Sequence, residues 1–261
     1  MMHVDYAPGT LGFGIDIGGS GIKGAPVDLL AGELAGERFR VPTPTPSTPD
    51  AVAGCLEQVL THFQVPTSTH VGITFPGIIQ HGVVRSAANL DKSWLDVDLA
   101  ELVQRTTGHQ ATIVNDADAA GFAEVHYGAA KGRTGVVLVL TLGTGIGSAL
   151  INRGQLVPNT ELGHLEIDGY DAETRAASSV KDNEGLTYKQ WSKRLQRYFE
   201  VVEFLFSPDL FVVGGGVSKD HHKFLPRITT RAPIVPAALR NQAGIVGAAL
   251  LADSEPTQPQ R

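Results

Sequence analysis

Residues 138–151 read LVLTLGTGIGSALI: an apolar run enters a glycine-rich corner and a second apolar run leaves it. Residues 14–25, GIDIGGSGIKGA, do the same near the start of the chain. Set 124 residues apart, GSGIKGA (19–25) and GTGIGSA (143–149) agree at Gly, Gly, Ile and Ala, with Ser facing Thr. Outward from each corner the pattern is strand, corner, strand, turn, strand, over 12–17, 22–27 and 37–41 in one copy and 135–142, 146–152 and 155–157 in the other. Helical periodicity follows at about 50–63, 98–106, 117–127, 187–206 and 244–252, with short strands at 71–75, 111–114 and 210–213. An internal duplication of a βββαβ-type unit accounts for both halves.

The 261 residues, 42% hydrophobic and 18% charged, suit one large domain or two lobes with a sizeable core. Apolar runs such as 136–140 are far shorter than the roughly 20 residues that cross a bilayer. The opening MMHVDYAPGT lacks the basic start and apolar block of a secretory signal, so a cytoplasmic protein is expected. The single cysteine, Cys55, falls among Ala51, Val52, Leu56, Val59 and Leu60 at helical spacing and reads as a buried apolar thiol. A net charge of −6 speaks against nucleic acid or an anionic membrane as partner, so any polyanion must be held by a local patch.

A glycine corner lets backbone approach a ligand and turns several N–H groups to one side, a nest for an anion. Either corner alone reads equally well as a hairpin turn. Together they favour a phosphate gripped from two sides, by Gly18, Gly19, Ser20 and Gly21 and by Gly143, Thr144 and Gly145. Neither fits the Walker loop, and Gly143-Thr-Gly145-Ile-Gly147 followed by Ser148 does not fit Gly-x-Gly-x-x-Gly. Asp16, just before the first corner, has the position to hold Mg²⁺ through water, or to pack the turn. Lys23 offers a point charge to a donor phosphate, or is a plain strand lysine. Gly214, Gly215 and Gly216 follow an apolar strand, where backbone passes close to a nucleotide or other donor, or simply turns tightly into a helix.

DIGGSGIKG, NDADAAG, LTLGTGIGS, ELGH and VVGGGVS, in this order, resemble the sugar kinases of the repressor/ORF/kinase (ROK) family. VPTPTP, TFPGIIQHGVV, SAANLDKSW, ELGHLEIDGYDAE, LQRYF and EFLFSPDLFVVGGGVSK resemble the polyphosphate/ATP-using glucokinases of that family over about 12–251. The resemblance implies an α/β, actin-like ATPase (ribonuclease-H-like duplicated) fold of two lobes with a ligand cleft between them. The lobes are expected over 1–114 with 243–261, and over 115–242. It implies phosphoryl transfer from inorganic polyphosphate, and ATP, to the 6-hydroxyl of glucose, with Mg²⁺ as cofactor and a homodimer as the assembly. An ATP-dependent hexokinase acting on mannose or an N-acetylhexosamine is the alternative on the same fold. A DNA-binding repressor would need a helix-turn-helix ahead of Gly12.

Asn115-Asp116 ends a short strand, where α/β sheets place ligands, and Asn and Asp are also favoured helix caps. By resemblance Asp116 is the general base. Sugar hydroxyls would be bound by Asn115, Asp116, Glu161 and His164, with Asn89, Gly77 and Glu173 (or Glu166 in its place) as further contacts. Most ROK members carry a zinc-binding cysteine cluster after this histidine; residues 165–186 have no cysteine, so no structural zinc is expected. Instead, Lys181, Lys189, Lys193, Arg194 and Arg197 stand against two acidic residues, and Lys189, Lys193 and Arg197 recur every four positions along one helix stripe. That stripe suits a polyphosphate chain, or is an ordinary solvated face.

Overall fold

The computed structural model describes residues 10–87 and 90–254. Two compact units emerge, one running to Ala123 and resuming at Gln242, the other spanning Glu124–Asn241. The change of unit falls after Ala123 rather than Val114. The helix that follows Asn115 starts in the first unit, where Ala119 is buried with Val114 and Ala248.

In the first unit β1 (Leu11–Gly18) pairs antiparallel with β2 (Gly21–Asp28). The third strand expected over 37–41 is split: β3 (Glu33–Leu34) pairs with the far end of β2 and β4 (Phe39–Val41) with its near end. Pro49 opens α1 (Pro49–His62), whose buried Val52, Ala53, Leu56, Val59 and Leu60 recur at helical period. On the other side of β1 lies β5 (Val71–Phe75), in parallel. A short hairpin, β6 (Ile79–Gln80) and β7 (Val83–Val84), follows. The Asp98 carboxylate accepts from the Glu101 amide at 2.9 Å and so caps α2 (Leu99–Thr107), which Gly108 ends at φ 79°. Parallel β8 (Ala111–Asn115) completes the order β3-β2-β1-β5-β8. The core under the sheet gathers Phe13, Ile15, Ile73, Leu56 and Val59 with the edge-on pair Phe75 and Trp94, 5.0 Å between ring centroids.

α3 (Asp116–His126) leads into the second unit. There β9 (Val136–Leu142) and β10 (Ile146–Asn152) are antiparallel, β11 (Gln155–Val157) extends the edge, and β14 (Leu210–Gly214) and β15 (Ile234–Pro236) continue in parallel beyond β9. The strand order β11-β10-β9-β14-β15 repeats that of the first sheet. Between them come a small hairpin, β12 (Glu166–Ile167) and β13 (Tyr170–Asp171), and the helices α4 (Glu173–Ala176), α5 (Ser178–Asn183) and α6 (Tyr188–Phe206). Thr187 and Gln190 form a reciprocal capping box at the start of α6. Its Trp191, Leu195, Phe199 and Val202 pack on Leu138, Leu140, Phe211 and Val213. Val137, Val139 and Val212 on the opposite face meet Val125 and Ala130. Both faces of β9 and β14 are therefore covered, which is why these strands read as unbroken apolar runs.

α7 (His221–Phe224) follows β14, and the chain then returns to the first unit as α8 (Ala243–Ser254), which lies on β1 and β5. A Cβ on Gly14 would fall 2.0 Å from the Ile245 carbonyl oxygen, and one on Gly72 1.9 Å from that of Ala248. Helix backbone thus rests on strand backbone. Among the described residues no helix is long and apolar enough to cross a membrane. Gly72→Ala should destabilise the protein by about 1–3 kcal/mol through overpacking. Gly54→Ala in α1, where a Cβ meets nothing within 4 Å, should stabilise it by up to about 1 kcal/mol. Melting temperatures that move in opposite directions are the check.

Candidate active site

Asn115 closes β8 and its carboxamide is committed at both ends. Its Oδ1 accepts from the amides of Ala117 at 2.8 Å and Asp118 at 3.2 Å, capping α3, while its Nδ2 donates to the Gly77 carbonyl at 3.1 Å. Gly77 sits so close to the Ser86 carbonyl oxygen, 2.2 Å from where a Cβ would be, that no side chain fits. The buried Asn115 thus caps α3 through two of its amides. Asp116 is left exposed on the first turn of α3, its Oδ1 accepting from the Ala117 amide at 2.8 Å.

In the second unit, Glu161 precedes a single 3₁₀ turn, Leu162–His164. Buried Ser148 on β10 fixes this turn: its Oγ accepts from the Leu162 amide at 3.0 Å and donates to the Thr160 carbonyl. Gly163 passes Ile146 where a Cβ would lie 2.2 Å from the carbonyl oxygen. His164 Nδ1 is hydrogen-bonded to Asp171 Oδ2 at 2.8 Å, which leaves Nε2 on the other side of the ring. Asp171 reaches it because Asp168-Gly169, at φ 54° and 80°, makes a two-residue turn joining β12 to β13. Glu166 stands opposite Asp171 in this hairpin, on β12.

The hydrogen bond that the imidazole donates to Asp171, more than any other influence, pushes the His164 pKa up. Burial likewise raises that of Glu161, and the Glu173 charge adds to the rise while His164 opposes it. No donor among the described residues reaches the Glu161 carboxylate. A half-buried acceptor without a donor is poised for a ligand hydroxyl. Glu173 Oε2 accepts from the Ile146 amide at 3.0 Å, and a Cβ on Gly145 would lie 2.3 Å from it. His164, Asp171 and Glu173 present ligand atoms within 4.8 Å of one another.

The second corner, Gly143-Thr144-Gly145, is gripped from behind. Ser178 Oγ and the Ser179 amide donate to the Gly143 carbonyl, both at 3.1 Å, and Ser179 Oγ to that of Thr144 at 2.6 Å. The Gly143 amide donates to the Gly145 carbonyl at 2.9 Å, and the amides of Thr144 and Gly145 remain for an anion. Gly215, at φ 83°, would drive a Cβ to 2.3 Å from the Leu142 carbonyl oxygen, so the Gly214–Gly216 segment lies against the strand end that feeds this corner. At the first corner Gly18 faces Gly21 across a two-residue turn, Gly19-Ser20. Thr43 Oγ1 donates to the Gly18 carbonyl and Arg40 Nη2 to that of Ser20. Lys23 Nζ stands 3.4 Å from Asp16 Oδ2, its direct cross-strand neighbour, and Thr74 Oγ1 donates to Asp16 Oδ1 at 2.8 Å. On α6, Arg197 departs from the expected stripe: its fork holds Asp168 at 2.9 and 2.8 Å. Asn89 lies outside the described residues.

A family model described as "ROK family" matches residues 12–184. The chain belongs to the ROK family. It is 51% identical to a polyphosphate glucokinase of Mycobacterium tuberculosis over 94% of this chain and 92% of the relative. The crystal structure of an inorganic polyphosphate/ATP-glucomannokinase from Arthrobacter sp. strain KM matches with a TM-score of 0.88 at 57% identity, covering 93% of this chain and 98% of that one. A ROK family glucokinase from Streptomyces griseus shares the fold, with a TM-score of 0.79 at 24% identity over 94% of this chain and all (100%) of that one. The chain thus has the actin-like ATPase fold of the ROK sugar kinases.

Local sequence pattern did not single out Asp171, Ser148 or Arg40 in this ROK chain, because each acts through a partner distant along the chain. Only the Asp168-Gly169 turn signal between Ile167 and Tyr170 pointed to the hairpin that carries Asp171. Asp171→Asn should bring the His164 titration, followed by NMR, down toward the ordinary value of about 6.5. The sign follows from linkage: a raised imidazole pKa stabilises the fold fully below that ordinary value, and the gain is lost as pH rises through the folded one. Thermal melts of the wild type and the variant should therefore diverge at acidic pH and converge above neutrality.

Proposed function

We propose that this protein transfers a phosphoryl group from inorganic polyphosphate, and from ATP, to the 6-hydroxyl of glucose. The likeness over nearly the whole chain to proteins named polyphosphate glucokinase carries the reading. Mannose is a further acceptor in it, because the Arthrobacter relative is named a glucomannokinase. The reading also includes a homodimer acting in the cytoplasm.

Asp116 serves as general base. It accepts the proton of the sugar 6-hydroxyl as the new oxygen–phosphorus bond forms and the bond to the departing donor phosphate breaks. Asn115 holds the start of α3 in place beneath it. Glu161 accepts from one sugar hydroxyl and His164 Nε2 meets another, its imidazole steadied by Asp171; Glu173, Gly77 and Asn89 complete the sugar contacts. The Gly18–Gly21 and Gly143–Gly145 corners hold donor phosphates through the amides they leave open, with Lys23 and the Gly214–Gly216 backbone beside them.

The residues present fit Mg²⁺ of the kind kinases use. Asp16 offers one partly buried carboxylate, its side chain 25% exposed, and such an ion keeps most of its waters and takes other oxygens from the phosphates. When bound it would neutralise phosphate charge.

Asp116→Asn should lower kcat for glucose phosphorylation by about 10²–10⁴ with either donor, while calorimetry still detects glucose binding. Near-normal turnover would remove the base from Asp116. If the wild type forms glucose 6-phosphate from neither donor, the substrate assignment falls.

A further inference from the structure

Beyond the glycine corners, the second unit carries two recesses on either side of one lysine. The first, about 300 Å³, is lined by Lys189, Ser192, Lys193, Gln196 and Arg227. The second, about 270 Å³, includes Lys193 again, with Arg175, Arg194 and Tyr198 in its wall. Their charges are not arranged alike. Arg194 holds Glu184 at 2.7 Å and Arg197 holds Asp168 at 2.8 Å, whereas no carboxylate among the described residues comes within 4.0 Å of Lys189, Lys193 or Arg227. Three uncompensated cations thus face one small hollow, in a chain whose net charge is −6.

The hollow has a fixed frame. Gln196 Nε2 donates to the Thr229 carbonyl at 2.9 Å and the Thr229 amide returns a bond to Gln196 Oε1 at 2.7 Å, fastening the segment that carries Arg227 to α6. Arg227 Nε donates to the Lys223 carbonyl at 3.1 Å, which orients the guanidinium. In the neighbouring recess the Tyr198 hydroxyl is buried and has no hydrogen-bond partner among the described residues. Burial, with the Glu173 charge nearby, pushes the phenol pKa up and keeps it a donor. A buried donor without an acceptor costs free energy that a ligand oxygen would recover.

We propose that these two recesses, joined at Lys193, form a track for the inorganic polyphosphate chain, separate from the corners that hold the phosphoryl group being transferred. This rests on the polyphosphate reading above. A row of anions matches cations spaced along a helix, as the backbone of a single-stranded nucleic acid does. Bases find little to stack on here: the exposed aromatic of the second recess, Tyr170, has the Arg175 guanidinium over its ring at 4.5 Å. A linear phosphate chain is the better fit.

The test uses the whole protein with long-chain polyphosphate and ATP as separate donors, and compares wild type with Lys193→Gln and with Lys189→Gln/Arg227→Gln. The Michaelis constant for polyphosphate should rise about tenfold or more in either variant, each lost charge-assisted contact being worth roughly that factor. That for ATP should stay within about twofold, which also reports that the variants fold. The dependence of polyphosphate binding on salt, by calorimetry, should flatten by about 0.7 in log–log slope per contact removed. An equal rise for both donors, or none for polyphosphate, overturns the track. So does a single-stranded oligonucleotide that competes as well as polyphosphate, since the surface would then serve nucleic acid. Failure of the wild type to phosphorylate glucose would sink the reading beneath, and direct polyphosphate binding by wild type and variants keeps the two failures apart.

Discussion

In the first unit, α8 lies on the central strands with nothing but hydrogen atoms between the two backbones. Gly14 on β1 and Gly72 on β5 leave no room for a methyl group beneath the Ile245 and Ala248 carbonyls. This contact joins the last helix to strands that the chain made more than 150 residues earlier, a distance in sequence that only a close, specific fit can make worth closing. The positions that carry Asp16 and Asn115 are fixed by the same sheet, and a Cβ on Gly247 of α8 would fall 1.8 Å from the Ala119 carbonyl oxygen on α3, so the geometry of the candidate base depends on this last helix. The second unit repeats the device at its own scale, with Gly163 against Ile146 and Gly215 against Leu142.

Charge is handled in the same economical way. Three of the cations around α6 are held by neighbouring carboxylates: Arg197 fastens the β12–β13 turn, Arg194 holds the end of α5, and Arg231 meets Glu203. Exposed pairs of this kind add little stability each. Their effect is to sort the basic residues of one helix into those that are neutralised and those that are left to face solvent or a ligand, a distinction the spacing of the residues does not contain.

That difference marks how far the sequence could be read. Val71–Phe75 and Gln155–Val157 were legible to the residue because apolar strands end sharply at turn signals. The helix expected over 187–206 runs from Tyr188 to Phe206 with Thr187 as its cap, because its apolar period is local to the helix. The third strand of the first meander was not legible, since whether 33–41 makes one strand or two is decided by where β2 can pair. Asn115-Asp116 stood out as a pair, yet the bond that anchors the Asn115 carboxamide runs to the Gly77 carbonyl, 38 residues away along the chain. Arg197 looked like part of a free stripe until the hairpin brought Asp168 beneath it. Asp171 and Arg40 share the same cause of invisibility, partners set by strand pairing rather than by local period.

The Asp171–His164 hydrogen bond has a bearing on the conditions this chain can tolerate. Residues 165–186 hold no cysteine, and the imidazole here is steadied by a carboxylate at 2.8 Å. A carboxylate is not consumed by oxidants, competes with no other protein for a scarce ion, and is complete as soon as the hairpin folds. The orientation of the His164 imidazole is thus set by the chain's own hairpin and needs no thiol.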